Sequence, residues 1–160
     1  MKLRLPLIKM ATLLFLCGCI NAQENVIGMK NTTGKLMGYL EKCDSNGISS
    51  IFDDAENLEY KTDEIKADCK AFALIVKKYG IPSRDKMTMS KGLSGENVVS
   101  LQLISKADSS LNLSNASLLV FFYPDKYLNN TNKILNYAFI RTQLKEQEKK
   151  FIIAPKLPHQ

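Results

Sequence analysis

The sequence predicts an α+β domain in which N-terminal helices pack on a four-stranded antiparallel sheet. Three observations lead there. Apolar residues recur at helical spacing as far as Tyr79, then at a period of two after residue 95. The connections between the later apolar runs are too short for crossover helices, so neighbouring strands must be antiparallel. The chain has 160 residues, which after loss of an export signal still suffices for one domain with a real core.

The first helix is expected over about 31–43. Asn31 or Thr32 can cap it, and Leu36, Met37 and Leu40 make one apolar face. Gly34 and Gly38 weaken it, each by about 1 kcal/mol relative to Ala. Asn46-Gly47 marks a turn, after which Ile48, Ile51, Phe52 and Ala55 suggest a short second helix. The third helix runs from Thr62 to Tyr79. Ile65, Cys69, Phe72, Val76 and Tyr79 fall on one stripe, Asp63 and Glu64 suit its positive end, and Lys77 and Lys78 suit its negative end. Gly80 and Pro82 stop it.

The strands follow. Val99, Leu101 and Leu103 alternate with Ser100 and Gln102, as in a half-buried strand. Leu118 to Tyr123 is continuously apolar, as in a central strand covered on both faces. Leu118, Val120 and Phe122 should meet the third helix, and Leu119, Phe121 and Tyr123 should point the other way. Ile134 to Thr142 forms a third strand, with Leu135, Tyr137 and Phe139 on one side, and Lys150 to Pro155 a fourth. This element order resembles the cystatin-like and nuclear-transport-factor-2-like group, in which a curved antiparallel sheet wraps a helix. The resemblance implies small-molecule pockets, dimer interfaces and a few enzymes, so it does not by itself give function.

The N-terminus reads as an export signal. Lys2, Arg4 and Lys9 precede an apolar run and then small residues. The run is shorter than the about 20 residues that a spanning helix needs. Leu16-Cys17-Gly18-Cys19 resembles the lipobox of bacterial lipoproteins, where Leu, a small residue and Gly or Ala precede the Cys that becomes the lipid-bearing N-terminus. Here Cys17 stands where Ala, Ser, Thr or Val is usual. The resemblance implies a signal peptide at 1–18, lipid on Cys19, a polar tether at 19–30 and a domain at 31–160. More than one acyl chain gives stable anchoring. Ile20, where an Asp would signal inner-membrane retention, points to the periplasmic side of the outer membrane. The alternative is a plain cut after Ala22, giving a soluble periplasmic or secreted protein.

Charge excludes one class of partner. The formal net charge is +6, from 22 basic and 16 acidic residues. Removing Lys2, Arg4 and Lys9 with the signal leaves 19 basic residues and about +3, scattered along the chain, so nucleic acid is not an expected partner. Cys17 and Cys19 belong to the signal region, which leaves Cys43 and Cys69 in the fold. In an oxidising compartment two cysteines suggest a disulfide, worth roughly 3.5 kcal/mol by loop entropy. Two buried free thiols are the alternative. Two thiols without a nearby His cannot supply a tetrahedral zinc site.

Catalytic signatures are missing. The sole histidine is the penultimate residue His159, a poor place to preorganise a base, which removes His-based triads and dyads. Ser83-Arg84-Asp85-Lys86 matches S-x-x-K without the companion motifs of penicillin-recognising enzymes. Asp53-Asp54 and Glu56 with Glu59 read as an acidic helix end rather than a cleft pair. No cofactor and no metal are expected. The aromatic cluster offers more: Leu119, Phe121, Tyr123, Tyr127 and Tyr137 are candidates for a binding or dimer surface. The expectation is therefore a non-enzymatic, lipid-anchored envelope protein. Its partners would be the membrane and a protein, a small ligand or a second copy of itself. An inhibitor or immunity-type protein against an envelope-active toxin is the second reading, and a small pocketed enzyme of the same fold the third.

Overall fold

A computed structural model describes residues 6–53, 62–125 and 132–144, with side chains from Glu24 onward. Among them lie three α-helices, α1 (Pro6–Lys42), α2 (Ser45–Ile51) and α3 (Thr62–Tyr79), followed by four strands, β1 (Thr88–Lys91), β2 (Asn97–Ile104), β3 (Leu113–Phe122) and β4 (Ile134–Gln143). The strands form one antiparallel sheet in the order β1-β2-β3-β4. The α+β class with helices before the sheet is as expected.

α1 begins well before the helix expected from residue 31. Residues 20–30, expected as a polar tether, are helical and continuous with the helix expected from residue 31. Met29 is buried beside Leu36, Met37 and Leu40, so the apolar stripe starts before the residues that the spacing picked out. One glycine of this helix, Gly28, does more than weaken it. An added Cβ on Gly28 would lie 2.0 Å from the Asn132 side chain, so the missing side chain lets the loop before β4 close on α1.

α1 ends in a Schellman motif. The Cys43 N–H donates to the Leu40 carbonyl at 3.3 Å and the Asp44 N–H to the Tyr39 carbonyl at 2.9 Å. This puts Cys43 at the left-handed position, with φ 52°, where glycine is usual. A side-chain-bearing residue there costs roughly 1–2 kcal/mol. Asp44 then caps α2, its carboxylate accepting the Gly47 N–H at 2.9 Å. After α2, Phe52 makes a parallel bridge to Ile134, and the Asp53 N–H donates to the Ile134 carbonyl at 3.1 Å.

α3 has the expected bounds and ends at Gly80, whose φ of 76° and bond to Val76 close the last turn. Ile65, Cys69, Phe72 and Val76 are buried, as the stripe predicted, and Ile75 joins them. Tyr79 does not: it is half exposed and reaches instead to Asp108.

The sheet differs from expectation in its strands. β1 was not expected, and it supplies the fourth strand among the described residues. The strand expected at 150–155 lies outside them. β3 begins at Leu113 rather than Leu118, because Ser114, Asn115 and Ser117 disguise an alternating strand as a polar loop. The pairing skips Leu135 between Phe121–Asn136 and Phe122–Ile134. That bulge turns Leu135 to solvent and parts it from Tyr137 and Phe139, which pack on the core. Leu118, Val120 and Phe122 are fully buried in the same core as Phe72 and Cys69, on the helix side of the sheet as expected.

Candidate functional site

Among the described residues, the sheet's second face carries no helix. Register fixes which residues share it. Ser90, Val98, Phe121 and Asn136 form one row across the strands; Thr88, Ser100, Leu119 and Ala138 form the next. Gln102, Ser117 and Ile140, then Asn115 and Thr142, complete it. Not one of these residues is charged, in a chain of which 24% is Asp, Glu, Lys or Arg. Val98 is buried, Leu119, Phe121 and Ala138 are half-buried, and Ile140 is 48% exposed, so the apolar part runs diagonally across the face. Polar but neutral groups surround it. The Gln102 amide donates to Asn115 Oδ1 at 3.1 Å, and the Ser117 hydroxyl donates to the same oxygen at 3.2 Å.

The structure divides the residues proposed as a binding surface. Leu119 and Phe121 lie on this outer face. Tyr137 does not: it is paired with Val120 and faces the helices. Its ring meets Phe52 edge-on at 6.1 Å and its hydroxyl donates to Asp68 at 3.2 Å. Tyr123 lies just past β3 and donates its hydroxyl to Asp53 Oδ2 at 2.6 Å, which ties it to the end of α2. Tyr127 lies outside the described residues, as do the Cys19 side chain, His159 and Glu56. Sequence reasoning missed Val98, Ala138 and Ile140, which join the face only through strands on either side of β3.

Cys43 and Cys69 are free thiols, the first exposed and the second buried, so the disulfide is not formed here. Their side chains are nonetheless close enough for one thiol to act on the other. Burial pushes the Cys69 thiol up to about 12, and the Cys43 thiol against it adds to the shift.

Two carboxylates have environments that could serve chemistry, and both are occupied. Asp108, only 6% exposed, accepts the Tyr79 hydroxyl, the Ser110 hydroxyl at 2.8 Å and the Ser110 N–H at 3.0 Å, and pairs with Lys78 at 2.6 Å. The bonds from Lys78 and Tyr79 hold it well below the usual carboxylate range. Lys78 also donates to Ser110 Oγ at 2.7 Å, which has the look of a serine–lysine nucleophile. The bond to Asp108 raises the Lys78 pKa, however, so the amine keeps its proton and cannot act as base. Asp68 is the second. Burial pushes it above the ordinary aspartate value, while Arg141 at 2.9 Å and Tyr137 pull it partway back. Burial also pushes the Tyr137 hydroxyl up, and the Asp68 charge adds to that.

Among the described residues, two clefts flank the sheet and helices. One of about 380 Å³ lies between α3 and the β2–β3 loop, with Leu74, Leu111 and Arg141 in its wall. Another of about 490 Å³ lies between α1 and β1, with Val26, Met29 and Met89 as an apolar floor. At the edge of the second, Lys91 donates to Asp125 and to Asn97, both at 2.7 Å, and Asn97 donates to Asp125 Oδ1 at 2.9 Å. These polar groups bond one another rather than pointing into the space. Ser83 and Lys86 of the S-x-x-K match are exposed around a 3-10 turn at Arg84–Lys86. Among the described residues no cluster of His, Cys, Asp and Glu could hold a metal ion, and no helix is long and apolar enough to cross a membrane.

No protein-family model, curated protein or solved structure matches this chain.

Proposed function

We propose that the chain is an exported, lipid-anchored envelope protein with a non-catalytic binding role, exercised through the outer face of its sheet. The observation that carries this reading is the neutrality of that face. Interface centres are depleted in charge and enriched in large apolar side chains. Leu119 and Phe121 provide the second property, and their row partners provide the first.

The partner that fits with fewest further requirements is a second copy of the chain. A neutral face meets its own copy without unpaired charge, and two twisted sheets pack face to face at about 30°. The face is four strands wide at Phe121 and Leu119, three at Ser117 and two at Asn115.

Support for the address is the Leu16-Cys17-Gly18-Cys19 run. The test is fractionation with a fatty-acid probe. The wild type should label and sediment with membranes, and Cys19→Ala should be unlabelled and soluble. A soluble, unlabelled wild type would replace this reading with a cut after Ala22.

A further inference from the structure

We propose that Cys43 and Cys69 form a thiol–disulfide exchange site, in which Cys43 is the entry thiol and Cys69 closes the intramolecular bond. This goes beyond the sheet-face reading and does not depend on it.

The geometry separates the two roles. Cys43 lies at the left-handed position of the Schellman motif, exposed at the C-terminal end of α1. That position is served best by glycine, and the motif's hydrogen bonds use only backbone. A cysteine there adds nothing to the cap and places a thiol at the surface. Cys69 lies one helix away on the buried stripe of α3, where a bulky external disulfide cannot reach it. α1 packs on α3, and the Cys43 side chain lies close enough to perturb the Cys69 thiol. An external oxidant therefore meets Cys43 first, and Cys69 can be oxidised only through Cys43.

The chemistry balances with a disulfide as oxidant, either a protein disulfide or a small-molecule one. The Cys43 thiolate attacks one sulfur of the donor, forming a mixed disulfide and expelling the first donor thiol. The Cys69 sulfur, losing its proton to solvent as it attacks, then displaces the second donor thiol from Cys43. Two protein thiols lose two electrons, and one donor disulfide becomes two thiols. The product closes a covalent loop from residue 43 to residue 69 around α2, joining the end of α1 to the middle of α3. A raised thiol pKa slows the second step, so the mixed disulfide at Cys43 should be long-lived enough to trap.

The experiment uses the reduced full chain, oxidised glutathione as donor, acid quenching and tryptic peptide mapping. In the wild type, the peptide of residues 43–61 should become linked to that of residues 67–70, with no glutathione retained. In Cys69→Ser, glutathione should remain on Cys43. In Cys43→Gly, which suits the left-handed backbone and so preserves the fold, Cys69 should react at least about ten-fold more slowly than Cys43 does in Cys69→Ser. Unlinked peptides in the oxidised wild type would overturn the proposal. So would links from either cysteine to Cys17 or Cys19 instead, or equal reactivity of the two thiols in the single variants.

Discussion

Arg141 donates to Asp68 at 2.9 Å across the gap between β4 and α3, and its guanidinium lies over the Phe139 ring at 5.0 Å. With the Tyr137 hydroxyl on the same carboxylate, it clasps β4 to the helix layer, beside the apolar contact of Phe139 with Phe72. Both side chains of the pair are partly shielded from water. Arg141→Ala should therefore destabilise the domain by about 1–2 kcal/mol, since a half-buried carboxylate loses its charged partner. Arg141→Ala with Asp68→Asn should recover part of that loss in a double-mutant cycle read by urea denaturation.

Asp108 should dominate the acid limb of stability. Its folded pKa is depressed below the ordinary aspartate value of 3.8, so its contribution is fully present above that value and is lost as pH falls below it. Asp68 acts with the opposite sign. Its folded pKa is raised, so its contribution is present below the unfolded value and fades as pH rises through the folded one. Urea midpoints measured from pH 7 to pH 2 should fall less steeply in Asp108→Asn than in the wild type. Asp108→Ala at pH 7 should cost about 2–4 kcal/mol, because the Tyr79 and Ser110 donors lose their acceptor.

Three glycines of similar appearance in sequence should respond with different signs. A Cβ on Gly38 meets nothing within 4 Å, so Gly38→Ala should stabilise the domain by about 0.5–1 kcal/mol through helix propensity. On Gly34 it meets the Arg84 Nε at 3.4 Å, an ordinary contact, and the same gain is expected. On Gly47 it would lie 2.4 Å from the Tyr39 ring, so Gly47→Ala should destabilise by about 1–3 kcal/mol. Chemical denaturation of the three single variants decides the pattern.

The outer sheet face should associate without regard to ionic strength. It carries no charge for salt to screen, so sedimentation of the Cys19→Ala chain should give the same dimer fraction at low and high salt. Leu119→Lys or Phe121→Lys should abolish the dimer while lowering the melting temperature little, because both side chains are only half-buried. Tyr123 is unsuitable for this test, since its bond to Asp53 gives it a structural role. A monomer at all concentrations in the unmutated face would rule out self-association.

How far the fold can be read from sequence depends on how local its causes are. α3 is legible because its stripe, charged ends and terminal glycine all lie within one segment. α1 before residue 31 is not, because Gly28 and the polar residues around it argue against a helix, and burial of Met29 comes from distant contacts. β1 escapes because a strand of 4 residues with one half-buried apolar side chain, Met89, leaves no period to detect. The two sides of β3 follow from alternation alone. Tyr137 faces the helices, which alternation in β4 alone does not reveal, because the register set by the Leu135 bulge decides which way β4 faces. The neutral outer face is invisible until that register aligns the strands into rows.

If Cys19 carries lipid as proposed, the continuity of α1 makes the link between lipid and domain a strut. With lipid on Cys19, the ten residues from there to Met29 are helical and span about 15 Å. Such a strut sets both the height of the sheet above the bilayer and the compass direction in which it looks. Inserting one alanine between Cys19 and Asn25 would raise the domain by about 1.5 Å and swing it by about 100° about the helix axis. A leash of the same length would absorb the insertion without moving anything.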